Sequence, residues 1–61
     1  MSEYKKKIIE LIESNLTGHE ISKKTGVSQY VLSQLRQGKR EVDNLTLNTT
    51  EKLYEYANKV L

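Results

Sequence analysis

The sequence predicts an all-α domain of four helices, with five helices as the alternative. Apolar residues recur at spacings of three and four along most of the chain, which is the period of a helix. The chain contains no proline, and residues that cap helices stand at the ends of the periodic segments. Because 61 residues leave room for only one small hydrophobic core, we predict a single domain over residues 1–61.

The first predicted helix covers residues 3–15. Its apolar side follows the i, i+4, i+7, i+8 spacing, whereas its lysines and glutamates fall largely on the opposite side. The stripe consists of Tyr4, Ile8, Leu11, Ile12 and Asn15. We expect this stripe to pack over the two helices that follow.

The second predicted helix begins after Thr17, which stands three residues before Glu20. This arrangement is a capping box, in which the threonine side chain accepts from the N–H of Glu20 and the glutamate bonds back to the N–H of Thr17. Leu16 and Ile21 flank the box and form the hydrophobic staple that often accompanies it. We expect the helix to stop at Gly26, since the left-handed residue that ends a helix is usually glycine.

The third predicted helix follows almost at once, with Ser28 as its N-cap and Gly38 at its end. Val27 and Leu32 form a second staple, which sets the angle at which the chain turns. The second and third helices therefore form a helix-turn-helix, with the small residue Ser22 where they cross. The alternative is a generic αα-hairpin, in which the same caps and apolar residues serve only the core.

A polar loop is predicted over residues 39–44, followed by the last helix. This helix begins after either Thr46 or Asn48, because both residues are acceptable N-caps and Asn48 opens a second candidate capping box. Its positions for packing are Leu47, Thr50, Leu53, Tyr54, Ala57, Val60 and Leu61.

Residues 18–37 read GHEISKKTGVSQYVLSQLRQ, with apolar residues at Ile21, Val27, Leu32 and Leu35 and a glycine at the turn. This spacing resembles that of the phage repressor and Cro-type (Xre-like) regulators, most closely over residues 17–39 and more loosely over residues 3–54. The resemblance implies a lambda-repressor-like fold whose third helix reads double-stranded DNA through the major groove. It also implies a sequence-specific transcriptional regulator, a repressor of phage, mobile-element or bacterial type.

Two features depart from this family. Gly18 stands where many members carry a glutamine that contacts phosphate, so that contact is lost or passes to His19 or to the backbone. The sequence also stops about where a fifth helix often begins. That helix is the family's usual dimer-forming element. If it is absent, we expect the end of the fourth helix to replace it.

The positive charge is concentrated on the helix-turn-helix. The net charge of the chain is +2, but residues 17–40 carry five cations against one anion. Residues 1–16 are neutral, and residues 41–61 carry four anions against two cations. A segment that docks on phosphates requires such a distribution, although accidental clustering on a solvated surface is the alternative.

The composition argues against catalysis. The chain has no cysteine and a single histidine, His19, so thiol chemistry and a metal site lack their residues. A domain of this size builds no deep pocket, so we expect no enzyme activity, no cofactor and no small-molecule ligand. No apolar run approaches the roughly 20 residues of a membrane span and no signal peptide is evident, so a cytoplasmic protein of a bacterium or phage-infected cell is expected.

Two groups of residues are predicted to touch DNA. Those on the outward side of the third helix face base edges: Gln29, Tyr30, Ser33, Gln34 and Gln37. A glutamine amide pairs with adenine through both a donor and an acceptor, and Gln29 and Gln34 match the family's base-reading positions. The predicted phosphate contacts lie at helix starts and in the loop: Thr17, Gly18, His19, Ser28, Lys39 and Arg40. The lysines at residues 5–7 are weaker candidates.

One small domain reads only a few base pairs, so we expect a homodimer on a palindromic operator. The predicted interface is the apolar end of the last helix, at Tyr54, Ala57, Val60 and Leu61. Alternatively, Tyr54 and Ala57 complete the chain's own core and only the last two residues reach water. A second function also stays open, that of a protein-binding module such as an antitoxin or an adaptor that keeps a helix-turn-helix core for stability.

Overall fold

The computed structural model describes residues 2–61 and confirms an all-α fold with four α-helices in this range. The helices are α1 (Glu3–Ile12), α2 (Gly18–Thr25), α3 (Gln29–Arg36) and α4 (Leu47–Val60). A short 3₁₀ helix, Val42–Asn44, lies in the connection between α3 and α4. All four predicted helices are therefore present, and α2 and α3 are separated by only three residues.

The core forms where the apolar sides of all four helices meet. α1 lies against α4, α2 lies against α3, and α4 also touches α2. The buried apolar residues are Ile8, Leu11, Ile12, Ile21, Val27, Leu32, Leu53 and Ala57. Five large side chains from all four helices are fully buried, and each such burial contributes about 1.5–3 kcal/mol. The helix-turn-helix thus rests on a platform formed by α1 and α4.

The first helix is shorter than predicted, ending at Ile12 instead of continuing to Asn15. The Ser14 hydroxyl donates to the Leu11 carbonyl at 2.6 Å and accepts from the Leu16 N–H at 3.4 Å. Serine side chains that bond to nearby backbone compete with the helical hydrogen bonds, which favours a turn here. Asn15 is consequently exposed and does not belong to the buried stripe.

The turn between α2 and α3 has the predicted caps. The Thr17 hydroxyl accepts from the Glu20 N–H at 3.0 Å, and the Ser28 hydroxyl accepts from the Tyr30 N–H at 3.1 Å. Among residues 2–61, no hydrogen bond returns from the Thr17 N–H to the Glu20 side chain, so only half of the capping box is formed. Gly26 ends α2 with a φ of 80°, and its N–H donates to the Ser22 carbonyl.

Replacing Gly26 with alanine is expected to destabilise the fold by about 1–2 kcal/mol, because a Cβ at positive φ is strained. The matched control is Gly18→Ala in the first turn of α2, where φ is helical and no atom lies within 4 Å of an added Cβ. That change is expected to be neutral or stabilising by up to about 1 kcal/mol. Urea unfolding of both variants measures the difference. Equal losses in the two would contradict the left-handed turn.

The connection from α3 to α4 is less polar than predicted. Gly38, at φ 76°, ends α3, and the Lys39 N–H reaches back to the Gln34 carbonyl at 3.0 Å, as in a Schellman motif. Val42 and Leu45 then pack against the core, so the connection is anchored at two points. The 3₁₀ helix in the middle of the connection is also held by an ion pair of 2.8 Å between Lys5 and Asp43.

The start of α4, which the sequence leaves open, is capped by Thr46. Its hydroxyl accepts from the Thr49 N–H at 3.3 Å, and Asn48 lies inside the helix. One turn on, the hydroxyl of buried Thr50 accepts from Tyr4 at 3.0 Å and donates to the Leu47 carbonyl at 2.8 Å. The polar atoms that α1 and α4 bury against each other are thereby satisfied.

The prediction for the apolar end of α4 is wrong at Ala57. This residue is fully buried in the core, because α4 turns it toward α1 and α2. Tyr54 is half-buried, and its ring lies 4.6 Å from that of Tyr4, centroid to centroid. Val60 and Leu61 are 41% and 49% exposed. The large apolar residues exposed at this end of the helix are therefore Val60 and Leu61, as in the alternative interpretation.

Candidate nucleic-acid interface

The outward side of α3 carries the polar residues that the sequence places there. Gln29, Ser33 and Gln37 are exposed, and Tyr30 is 66% exposed. Leu32, on the opposite side of the helix, is fully buried, and Leu35 packs against the core. The helical period therefore separates the α3 residues that hold the helix in place from those available to a partner.

Two of the outward glutamines are paired with neighbouring side chains. The Gln29 amide nitrogen lies 3.1 Å from Nδ1 of His19, and the Gln37 amide nitrogen donates to the Ser33 hydroxyl at 2.7 Å. Because an amide nitrogen only donates, Nδ1 of His19 is the acceptor in the first pair. Each pairing leaves the amide oxygen available to a partner. The His19–Gln29 contact joins the first turn of α2 to the first turn of α3.

Gln34 differs from the other glutamines. It is half-buried, and both ends of its amide are bonded within the protein. The amide nitrogen donates to the Tyr30 hydroxyl at 2.8 Å, and the amide oxygen accepts from Nε of Arg40 at 3.0 Å. Gln34 therefore connects the start of α3 to the loop that follows it, a role that the sequence did not reveal.

An open notch of about 300 Å³ lies between the start of α2 and the outward side of α3. It is lined by Gly18, His19, Gln29, Ser33, Arg36 and Gln37. Helix geometry leaves the N–H groups in the first turn of α2 without intrahelical partners, and Gly18 adds no side chain in front of them. The helix dipole favours an anion at this position.

Apart from Gly18 and His19, which line the notch, the predicted phosphate contacts are of two kinds, N-cap residues and loop residues. Thr17 and Ser28 use their hydroxyl oxygens as N-caps, so each has only its hydroxyl proton to offer an anion. Lys39 is exposed, whereas Arg40 is half-buried against Gln34 and keeps its two terminal nitrogens available to a partner. The weaker candidate Lys5 is paired with Asp43.

Arg36 has a structural role that the sequence did not indicate. Its Nε donates to the Ile12 carbonyl at 2.8 Å, and its Nη2 donates to the Leu16 carbonyl. The guanidinium thus joins the end of α3 to the end of α1 and to the segment before α2. Only the charge was visible in the sequence, because these carbonyls lie 24 and 20 residues away along the chain.

No protein-family model matches the sequence, and no curated protein matches it significantly. Within residues 2–61, no helix has both the length and the apolar character needed to cross a membrane. In the same range, no three His, Cys, Asp or Glu side chains are grouped as metal ligands would be.

Proposed function

We propose that the protein is a sequence-specific transcriptional regulator that inserts α3 into the major groove of double-stranded DNA. The observation that carries this proposal is the row of exposed polar side chains on α3, which starts at Gln29, in contact with His19 in the first turn of α2. An α-helix fits the major groove, and a helix-turn-helix presents the first residues of its second helix to base edges. A repressor acting in the cytoplasm is the simplest form of such a regulator.

Base recognition is assigned first to Gln29. It is exposed in the first turn of α3, and its pairing with His19 holds the amide at the end of the helix that enters the groove. An oriented amide loses less conformational freedom on binding, which favours affinity. Ser33 and Gln37, paired with each other one and two turns further on, are the next candidates.

Phosphate binding is assigned to the two sides of α3. On one side the notch at Gly18 and His19 offers backbone N–H groups, and on the other side Lys39 and Arg40 offer positive charge. Contacts of this kind carry no sequence information, but they hold the helix in register with the duplex.

The variants Lys39→Ala and Arg40→Ala are each expected to weaken binding to cognate and random duplexes alike. Each lost phosphate contact lowers the slope of log K against log salt by about one unit. Titrations at several salt concentrations measure this slope. Lys59→Ala, at the far end of α4, serves as the control, with the slope expected to stay unchanged. Wild-type slopes in both loop variants would contradict a loop that runs beside the DNA backbone.

The proposed regulator binds as a homodimer, with Val60 and Leu61, which are exposed at the end of α4, as the apolar contact. The double variant Val60→Asp, Leu61→Asp is expected to remain monomeric in sedimentation at concentrations where the wild type dimerises. Burial of Ala57 means that Ala57→Asp would disrupt the core instead of testing the interface. A wild type that stays monomeric both alone and on a palindromic duplex, or a double variant that dimerises unchanged, would rule this interface out.

Selection of bound sequences from random duplex DNA tests the function as a whole. Two related half-sites are expected, with centres about 34–36 Å apart along the duplex, as a twofold dimer requires. Binding to the selected duplex should survive an excess of nonspecific competitor at moderate salt. If no sequence is enriched under these conditions, the proposal is wrong and a role in protein binding becomes the better interpretation.

A further inference from the structure

Three side chains at the edge of α3 form a hydrogen-bonded chain. Nε of Arg40 lies 3.0 Å from the Gln34 amide oxygen, and the Gln34 amide nitrogen lies 2.8 Å from the Tyr30 hydroxyl oxygen. Gln34 is half-buried and Tyr30 is 66% exposed. The chain therefore runs from the loop after α3 to the surface at the start of α3.

The direction of donation along this chain is set by Arg40. A guanidinium only donates hydrogen bonds, so the group facing it must be the amide oxygen of Gln34. The amide nitrogen then faces Tyr30 and also only donates, so the tyrosine oxygen accepts. The Tyr30 hydroxyl proton consequently has no role in the chain and is free to point toward a partner.

We propose that the Tyr30 hydroxyl is a hydrogen-bond donor to an acceptor on DNA, and that Gln34 is the positioning residue that fixes this polarity. The inference rests on the proposed DNA-binding function. The acceptor is an oxygen or nitrogen that carries no proton: a phosphate oxygen, or N7 of guanine or adenine, O6 of guanine or O4 of thymine in the major groove. Gln34, which the sequence predicts as a base reader, then acts through Tyr30.

The first arm of the test removes the hydroxyl alone. Tyr30→Phe keeps the ring and is expected to weaken binding to the selected duplex about threefold to tenfold, as the loss of one hydrogen bond does. If the acceptor is a base, this loss of affinity is expected to depend on which base occupies one position of the duplex. If the acceptor is a phosphate, Tyr30→Phe is expected to cause the same loss of affinity on every duplex. On a duplex with a methylphosphonate in place of that phosphate, Tyr30→Phe should then cause no loss.

The second arm reverses the polarity of the chain. In Gln34→Glu, a carboxylate accepts from both Arg40 and Tyr30, so the hydroxyl proton points inward. Adding Tyr30→Phe to Gln34→Glu is therefore expected to cause no further loss of affinity for the selected duplex. This comparison is made at constant charge, so the general effect of the added carboxylate on DNA binding cancels. If Gln34 only supported the fold, the loss of DNA affinity caused by Tyr30→Phe would be the same in the wild type and in Gln34→Glu.

Two results would overturn this inference while leaving DNA binding intact. One is wild-type affinity in Tyr30→Phe, and the other is an equal penalty for Tyr30→Phe in both backgrounds. Absence of specific binding by the wild type would instead reject the proposed function, and this inference with it. Thermal unfolding of each variant confirms that the changes at these positions leave the fold in place.

Discussion

Arg36→Ala is expected to lower the free energy of unfolding by about 1.5–3 kcal/mol. The guanidinium donates to the carbonyls of Ile12 and Leu16, and hydrogen bonds from a charged donor fall in this range. Removal of the guanidinium leaves the last turn of α1 and the segment before α2 without these hydrogen bonds to α3. Urea or thermal unfolding of the two proteins measures the loss.

Two further variants separate the hydrogen bonds of Arg36 from its charge. Arg36→Lys keeps the charge but lacks the planar fork that reaches both carbonyls, so it should also be destabilised. Lys24→Ala removes one positive charge from an exposed position of α2 and is expected to change stability by no more than about 0.5 kcal/mol. If Arg36→Ala and Lys24→Ala were equally stable, the assigned contacts would contribute nothing.

Gln29→Ala is expected to relax base preference at one or two operator positions while leaving affinity for random DNA nearly intact. The lost bidentate contact lowers discrimination by about 1–3 kcal/mol on the preferred base only. The physical reason is the placement of Gln29, exposed in the first turn of α3 and oriented by His19. Competition between the selected duplex and its single-base variants measures the effect.

The control for Gln29→Ala is Asn58→Ala, which removes an exposed amide from the outer end of α4. Its base preference should equal that of the wild type. His19→Ala tests the orientation of Gln29 separately, since it removes the acceptor of the Gln29 amide but no predicted base contact. An unchanged base profile in Gln29→Ala would show that the first turn of α3 does not read bases.

Much of the candidate interface was predictable because its signals are local. The caps at Thr17 and Ser28 and the glycines at positions 26 and 38 act on backbone groups within a few residues of themselves. The burial of Leu32 opposite an exposed Tyr30 follows from the period of a single helix. These features need no knowledge of how the helices are arranged.

The sequence alone was less successful where a side chain bonds to a distant element. Gln34 and Gln37 have the same chemistry and both fall on the outward side of α3, yet only Gln34 meets an arginine from the next loop. Likewise, Arg36 and Arg40 contribute equal charge to the basic segment. In the structure, Arg36 donates to backbone carbonyls, whereas Arg40 donates to Gln34 beside the proposed DNA surface.

By itself the sequence determined the all-α class, the four helices and the turn that joins α2 to α3, because propensity, capping and periodicity operate within one or two turns of chain. The end of α1 is also a local effect, set by the bonds of Ser14 to Leu11 and Leu16. Tertiary structure decided the roles of Gln34 and Arg36 and the burial of Ala57. Each of these depends on which groups of another helix or loop come within hydrogen-bonding or van der Waals distance. Such contacts are set by the packing of α1 and α4 against the helix-turn-helix, which no local pattern encodes.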